Sequence, residues 1–121
     1  MPIMAGPAEA SRAFADAINR GDVAGAVACW THDAALVAAG GATARGEMEL
    51  RTRFEQLVQG GVRVEIAVTE IVVAGTAALG KTRMTMTAIN ASGPLTFEGT
   101  VVYMHDGAHW RIAVDRVESA V

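Results

Sequence analysis

The 121 residues include ten basic and thirteen acidic side chains, a net charge of −3 with neutral histidines, and 51% are apolar. No run approaches the ~20 uninterrupted apolar residues of a membrane helix, and no Lys/Arg cluster offers the phosphate contacts of a nucleic-acid-binding surface. One cysteine, Cys29, excludes an internal disulfide. The length suits one domain over residues 1–121 with one core. The opening Met-Pro-Ile-Met-Ala-Gly-Pro has neither the basic stretch nor the long apolar run of a secretory signal, so a cytoplasmic location is expected.

Ala8 to Arg20 reads as a helix with Ala13, Phe14, Ala17 and Ile18 on one stripe, stopped by Gly21. Asp22 caps a second helix over Val23–Trp30, whose buried face is Val23, Ala26, Val27 and Trp30. Ala34–Ala39 is an apolar strand ended by Gly40-Gly41. Gly46 introduces a third helix, Glu47–Gln59, with Leu50, Phe54, Leu57 and Val58 on one face, and Gly60-Gly61 closes it. Val62, Val64, Ile66 and Val68 then alternate with polar residues as in a half-buried strand. Leu79–Ile89 continues with a two-residue period at Met84 and Met86, Asn90–Pro94 is a loop by composition, and a last strand pair spans Leu95–Val117. Helix, helix, strand, helix and four strands predict an α+β fold, with an antiparallel sheet carrying its helices on one face. Such an arrangement leaves a concave site for a small ligand.

The last hairpin bears most on chemistry. Asp106-Gly107 signals a two-residue type I′ turn. That turn sets Tyr103 opposite Trp110, Val101 opposite Ile112, Thr100 opposite Ala113 and Glu98 opposite Asp115. Two facing carboxylates need an offset: Arg111 or Arg116 on a wet surface, or a shared proton in a dry pocket, where they act as acid and base. Alternation groups Phe97, Val101, Tyr103, Trp110, Ile112 and Val114 on one face, which looks like the core side.

Phe14-Ala-Asp-Ala-Ile-Asn-Arg-Gly-Asp22 running into Trp30-Thr-His-Asp-Ala34, with Arg45-Gly46 and Trp110-Arg-Ile112, resembles the nuclear transport factor 2-like superfamily and its SnoaL-like and steroid-isomerase-like group. The resemblance implies a cone of three N-terminal helices on a curved, mainly antiparallel sheet, the cystatin-like architecture. It also implies that Asp115 points into the cone and that the opposite, apolar sheet face meets a second copy, giving a homodimer. The tyrosines that the steroid isomerases use fall here on Phe14, Trp30 and Phe54, their base aspartate on Ala38, and their protonated aspartate near Thr100. Phenylalanine cannot donate to an oxyanion, and the base is missing, so that isomerase mechanism is excluded.

What the resemblance leaves is a pocket for a hydrophobic small molecule, lined by Phe14, Trp30, Phe54, Leu57, Met84 and Met86. Thr100, Glu98 and Asp115 are its polar groups. Asp115, coupled to Glu98, would serve isomerase, lyase or cyclase chemistry by moving one proton. The alternative is a non-catalytic module that binds a ligand or assembles subunits. No cofactor is implied, and His32, His105 and His109 lack a spacing that brings metal ligands together at ~2 Å.

Overall fold

A computed structural model describes residues 6–89 and 91–120, with side chains up to Glu118. Its elements are α1 (Pro7–Asn19), α2 (Val23–Ala28), β1 (Trp30–Val37), β2 (Thr43–Arg45), α3 (Gly46–Gln59), β3 (Arg63–Ala74), β4 (Ala77–Thr87), β5 (Leu95–His105) and β6 (Trp110–Ala120). The six strands form one sheet in the order β2-β1-β6-β5-β4-β3. All neighbours are antiparallel except β1 and β6. The expected α+β class and mainly antiparallel sheet are observed. No helix among the described residues is long and apolar enough to cross a membrane.

Helix ends follow local chemistry. At the end of α1, Gly21 (φ 76°) takes the left-handed position, and the Gly21 and Asp22 amides donate to Ile18 and Ala17, closing the helix. The Asp22 carboxylate then accepts from the Gly25 amide at 2.9 Å and starts α2. Gly25 must be small, because a Cβ there would lie 2.3 Å from that carboxylate. Gly61 (φ 65°) ends α3 in the same way, with Val62 donating to Leu57.

Two boundaries differ from the sequence reading. α2 stops at Ala28, and Trp30 opens β1 as the partner of Ile112 on β6, instead of ending the helix. The three-residue strand β2, too short for a periodic signal, pairs with β1 across the Gly40-Gly41 turn.

The hairpin register also differs. Asp106 does not occupy the left-handed region that a type I′ turn requires of its first central residue; only Gly107 does (φ 96°). Instead the Asp106 carboxylate accepts from the amides of Ala108 (2.9 Å) and His109 (2.8 Å) and from Arg111 Nε (2.6 Å). Asp106 therefore begins a four-residue loop, and His105 pairs with Trp110. Arg111 first, and the two amides after it, hold the Asp106 carboxyl well below its usual range.

From there Tyr103 faces Ile112, but Val102 faces Val114: Ala113 is an extra residue on β6. This bulge reverses which side chains point inward. Ile112 and Asp115 consequently share the helix-facing side with Val101 and Tyr103, and Val114 turns outward. Of the six residues that simple alternation put on one face, Val114 alone leaves it by this mechanism.

The helices cover the inner face through a core that includes Phe14, Ile18, Trp30, Leu50, Phe54 and Tyr103. Phe14, Trp30 and Phe54 form a mutually contacting trio with ring centroids 4.9 to 5.5 Å apart. Asn19, the last residue of α1, clamps the helix to β3: its side-chain nitrogen donates to the Val64 carbonyl at 2.8 Å, and its oxygen accepts from the Val64 amide at 2.7 Å. Removing this side chain leaves two part-buried backbone groups without partners. Asn19→Ala is therefore expected to lower the unfolding free energy by about 2 kcal/mol, read from the urea midpoint at constant slope; an unchanged midpoint would remove the clamp from the account.

Candidate functional site

Between the inner sheet face and α1 and α3 lies a cavity of about 230 Å³. The aromatic trio forms one side, Leu57 and Val64 extend it, and Met84, Met86 and Phe97 come from the sheet. Trp30 is 4% exposed, and its indole N–H finds no acceptor among the described residues. Ala38, on the position where the steroid isomerases carry their base, also lines the cavity.

Among the described residues only two charged side chains line it, Asp115 and Arg53. Asp115 lies between Val101 on β5 and Leu36 on β1, both apolar, and its carboxylate has no hydrogen-bond or ion-pair partner among the described residues. Burial alone then penalises the charged form and pushes the group up to about 7, from an ordinary value of 3.8. At neutral pH such a carboxyl is divided between acid and base, the condition under which it exchanges protons most effectively with a bound molecule.

A crevice of about 10 Å³ adjoins the cavity at Asp115 and is bordered by Ser11, Thr82, Glu98 and Gly99. Ser11 and Thr82 are buried polar side chains. Ser11 Oγ and the Tyr103 hydroxyl share a hydrogen bond of 2.7 Å. Burial pushes the Tyr103 phenol up, and the nearby Asp115 acts in the same direction. Two glycines make room for this group. A Cβ on Gly80 would come within 2.8 Å of the Tyr103 ring, and one on Gly99 within 3.1 Å of Thr82 Oγ1 and 3.5 Å of the Asp115 carboxylate.

Of the residues anticipated for the pocket, Phe14, Trp30, Phe54, Leu57, Met84, Met86 and Asp115 are brought together around the cavity. Thr100 does not join them, and Glu98 stays outside the cavity but borders the adjoining crevice together with Asp115. Gly99 and Val101 point inward, so Thr100 points outward by strand alternation, where its hydroxyl donates to Glu118 at 3.2 Å. Glu98 pairs with Ser119, not Asp115, and its carboxylate meets Arg83 at 2.9 Å with both side chains about half exposed. The facing-carboxylate arrangement is thus corrected: the four-residue loop and the Ala113 bulge together move Asp115 away from Glu98. Ser11, Tyr103 and Arg53 escaped the sequence reading. Alternation puts Tyr103 on the core side without marking it as a site residue, and neither Ser11 nor Arg53 carries a spacing signal. Among the described residues no three His, Cys, Asp or Glu side chains cluster as metal ligands.

With this geometry established, similarity to other proteins identifies the family. Residues 11–116 match the model of the SnoaL-like domain, and the chain belongs to that family. Among solved structures it is similar to a ketosteroid isomerase-like protein from Erwinia carotovora atroseptica (20% identity, 94% of this chain and 92% of that one, TM-score 0.78). It is also similar to a putative calcium/calmodulin-dependent protein kinase type II association domain from Thiobacillus denitrificans (17% identity, 98% of each chain, TM-score 0.79). A third is a protein of unknown function with a cystatin-like fold from Nostoc punctiforme (19% identity, 94% and 87%, TM-score 0.80). No curated protein matches the chain. These identities establish a shared fold, which supports the cystatin-like cone expected from the sequence.

The isolation of Asp115 has a measurable sign. Its native pKa lies above its unfolded value, so the folded state holds the extra proton. The neutral carboxyl's contribution is complete below about pH 4 and is lost as the pH rises through about 7; a shift of that size corresponds to roughly 4 kcal/mol. Asp115→Asn, which cannot ionise, should therefore be more stable than the parent at pH 8 by about 2–4 kcal/mol, with the advantage shrinking toward zero at pH 4. Urea unfolding across that range measures it. A variant that is less stable than the parent at both ends would contradict the isolated carboxyl.

Proposed function

We propose that the protein binds a hydrophobic small molecule in the cavity and catalyses a proton transfer on it through Asp115, as the opening step of an isomerase, lyase or cyclase reaction. The observation that carries the reading is a single carboxyl without partners, at about 7, on the wall of an otherwise mostly apolar cavity. An apolar site that holds its substrate beside one such group needs little further machinery to move a proton at a carbon next to a carbonyl. Family membership supports a small molecule as ligand. Glu98 borders the crevice beside Asp115 with its carboxylate on Arg83, and the proposed step does not call on it.

The step can be tested without knowing the natural substrate. Incubated with 2-tetralone in heavy water, the protein should accelerate exchange of the hydrogens next to the carbonyl, read by proton NMR. Asp115→Asn should lose the acceleration by about 10²-fold or more. Exchange that is unchanged in the variant would remove Asp115 from catalysis, and ligand binding without exchange would favour the non-catalytic reading.

The same reading includes one domain, a cytoplasmic location and a homodimer formed through the outer sheet face. That face carries a continuous apolar row, one residue per strand: Val72 pairs with Leu79, Leu79 with Val102 and Val102 with Val114. Val72, Leu79 and Val114 are 56%, 49% and 37% exposed. Beside it runs a polar row of Glu70, Lys81, Thr100 and Arg116. An apolar strip with a polar border suits a self-complementary contact. This row replaces the one anticipated from alternation, whose members Phe97, Val101, Tyr103 and Ile112 face the helices. Sedimentation equilibrium should give twice the chain mass for the parent and the chain mass for Leu79→Asp; a monomeric parent would refute the dimer.

A further inference from the structure

We infer that the pocket selects an apolar carboxylic acid, seated with its hydrocarbon body in the cavity and its carboxylate at Arg53. This rests on the proposed pocket and deepens it by naming the ligand class.

Among the described residues, Arg53 is the one permanent charge on the cavity wall, which is otherwise apolar apart from Asp115. It stands on α3 immediately before Phe54, which is fully buried in the aromatic trio, and four residues before Leu57, which also lines the cavity. It also borders the neighbouring depression lined by Thr43, Glu49, Thr52 and Gln56, so its position is at the rim between cavity and surface. Arg53 makes no ion pair or side-chain hydrogen bond among the described residues. Its natural helical partner, Glu49 one turn back, instead accepts from the Arg45 amide at 2.8 Å. Four of the other arginines, Arg12, Arg20, Arg83 and Arg111, by contrast, hold an acid or a backbone carbonyl with their side chains.

An unpaired guanidinium at the edge of a greasy cavity matches a ligand of the same polarity pattern. Its planar fork takes a carboxylate in two parallel hydrogen bonds. Cavity size sets the body: an apolar cavity of about 150 Å³ accommodates benzene, and about 230 Å³ here admits a somewhat larger group. Asp115 favours the same ligand from the other direction. While it is protonated, Arg53 gives the cavity wall a charge of +1 that only an anion neutralises.

The probes are 3-phenylpropanoate and its uncharged counterpart 3-phenylpropanamide, titrated calorimetrically into the full chain at pH 6. The acid should bind roughly fivefold more tightly than the amide, the fold-change of a partly exposed charge pair. Arg53→Gln should abolish that preference, and a urea unfolding midpoint equal to the parent's shows that the variant is folded. Arg53→Lys should retain part of it. Equal affinities in the parent, or a preference that survives in Arg53→Gln, would overturn the assignment of Arg53 and leave the pocket standing. Failure of both probes to bind the parent would overturn the pocket reading, and this inference with it.

Discussion

One inserted residue governs the site. Had β5 and β6 kept the register set by the Tyr103–Ile112 pair, Val101 would oppose Val114, and Asp115 would sit in solvent beside Thr100. The extra residue at Ala113 shifts the pairing so that Asp115 opposes Val101. A carboxyl is thereby inserted into the helix-facing side of the sheet, between Val101 and Leu36, and an aliphatic residue, Val114, is turned out. Each half of that exchange is unfavourable for an isolated chain: one buries a charge without a partner, the other exposes apolar surface. The proposed proton-transfer role and the proposed dimer would each account for one half of that exchange.

The contrast with the steroid isomerases sharpens the chemistry. Where those enzymes present phenols, this cavity presents Phe14, Trp30 and Phe54 packed edge to face and tilted against one another. The only hydroxyl of that kind near Asp115, on Tyr103, is fully buried and shares its hydrogen bond with Ser11. Among the described residues the site therefore has one carboxyl placed to exchange a proton near neutrality, and no free tyrosine hydroxyl to act as an oxyanion donor. That arrangement fits substrates that are already acidic or reactive, for which holding geometry supplies much of the acceleration.

The helices were legible because their punctuation is local. Gly21, Asp22, Gly60 and Gly61 act through backbone bonds within a few residues, so the stripes they bound could be read directly, and with them the cavity residues Phe14, Phe54 and Leu57. Trp30 was read on the right face but in the wrong element, since its pairing with Ile112 is set some eighty residues away. The alternation of Met84 and Met86 carried over intact because β4 has no bulge between them. β6 was different. Asp106-Gly107 reads as a tight turn, yet the Asp106 carboxylate captures two amides and Arg111 and lengthens the loop. The bulge at Ala113 then leaves no mark on a two-residue pattern. These two shifts break the direct pairing of Glu98 with Asp115, which now opposes Val101. Asp115 itself was assigned to the cone by family resemblance, and no periodicity in the chain would have found it.

The account stands on the Asp115 carboxyl being isolated in an apolar wall. Carbon-13 NMR of the aspartate carboxyl groups, with Asp115 assigned by its loss in Asp115→Asn, follows its ionisation directly. A midpoint near pH 7 is the result that burial without a partner requires. A midpoint near 4 would mean that water or a cation reaches the group, and the proton-transfer role would fall with it.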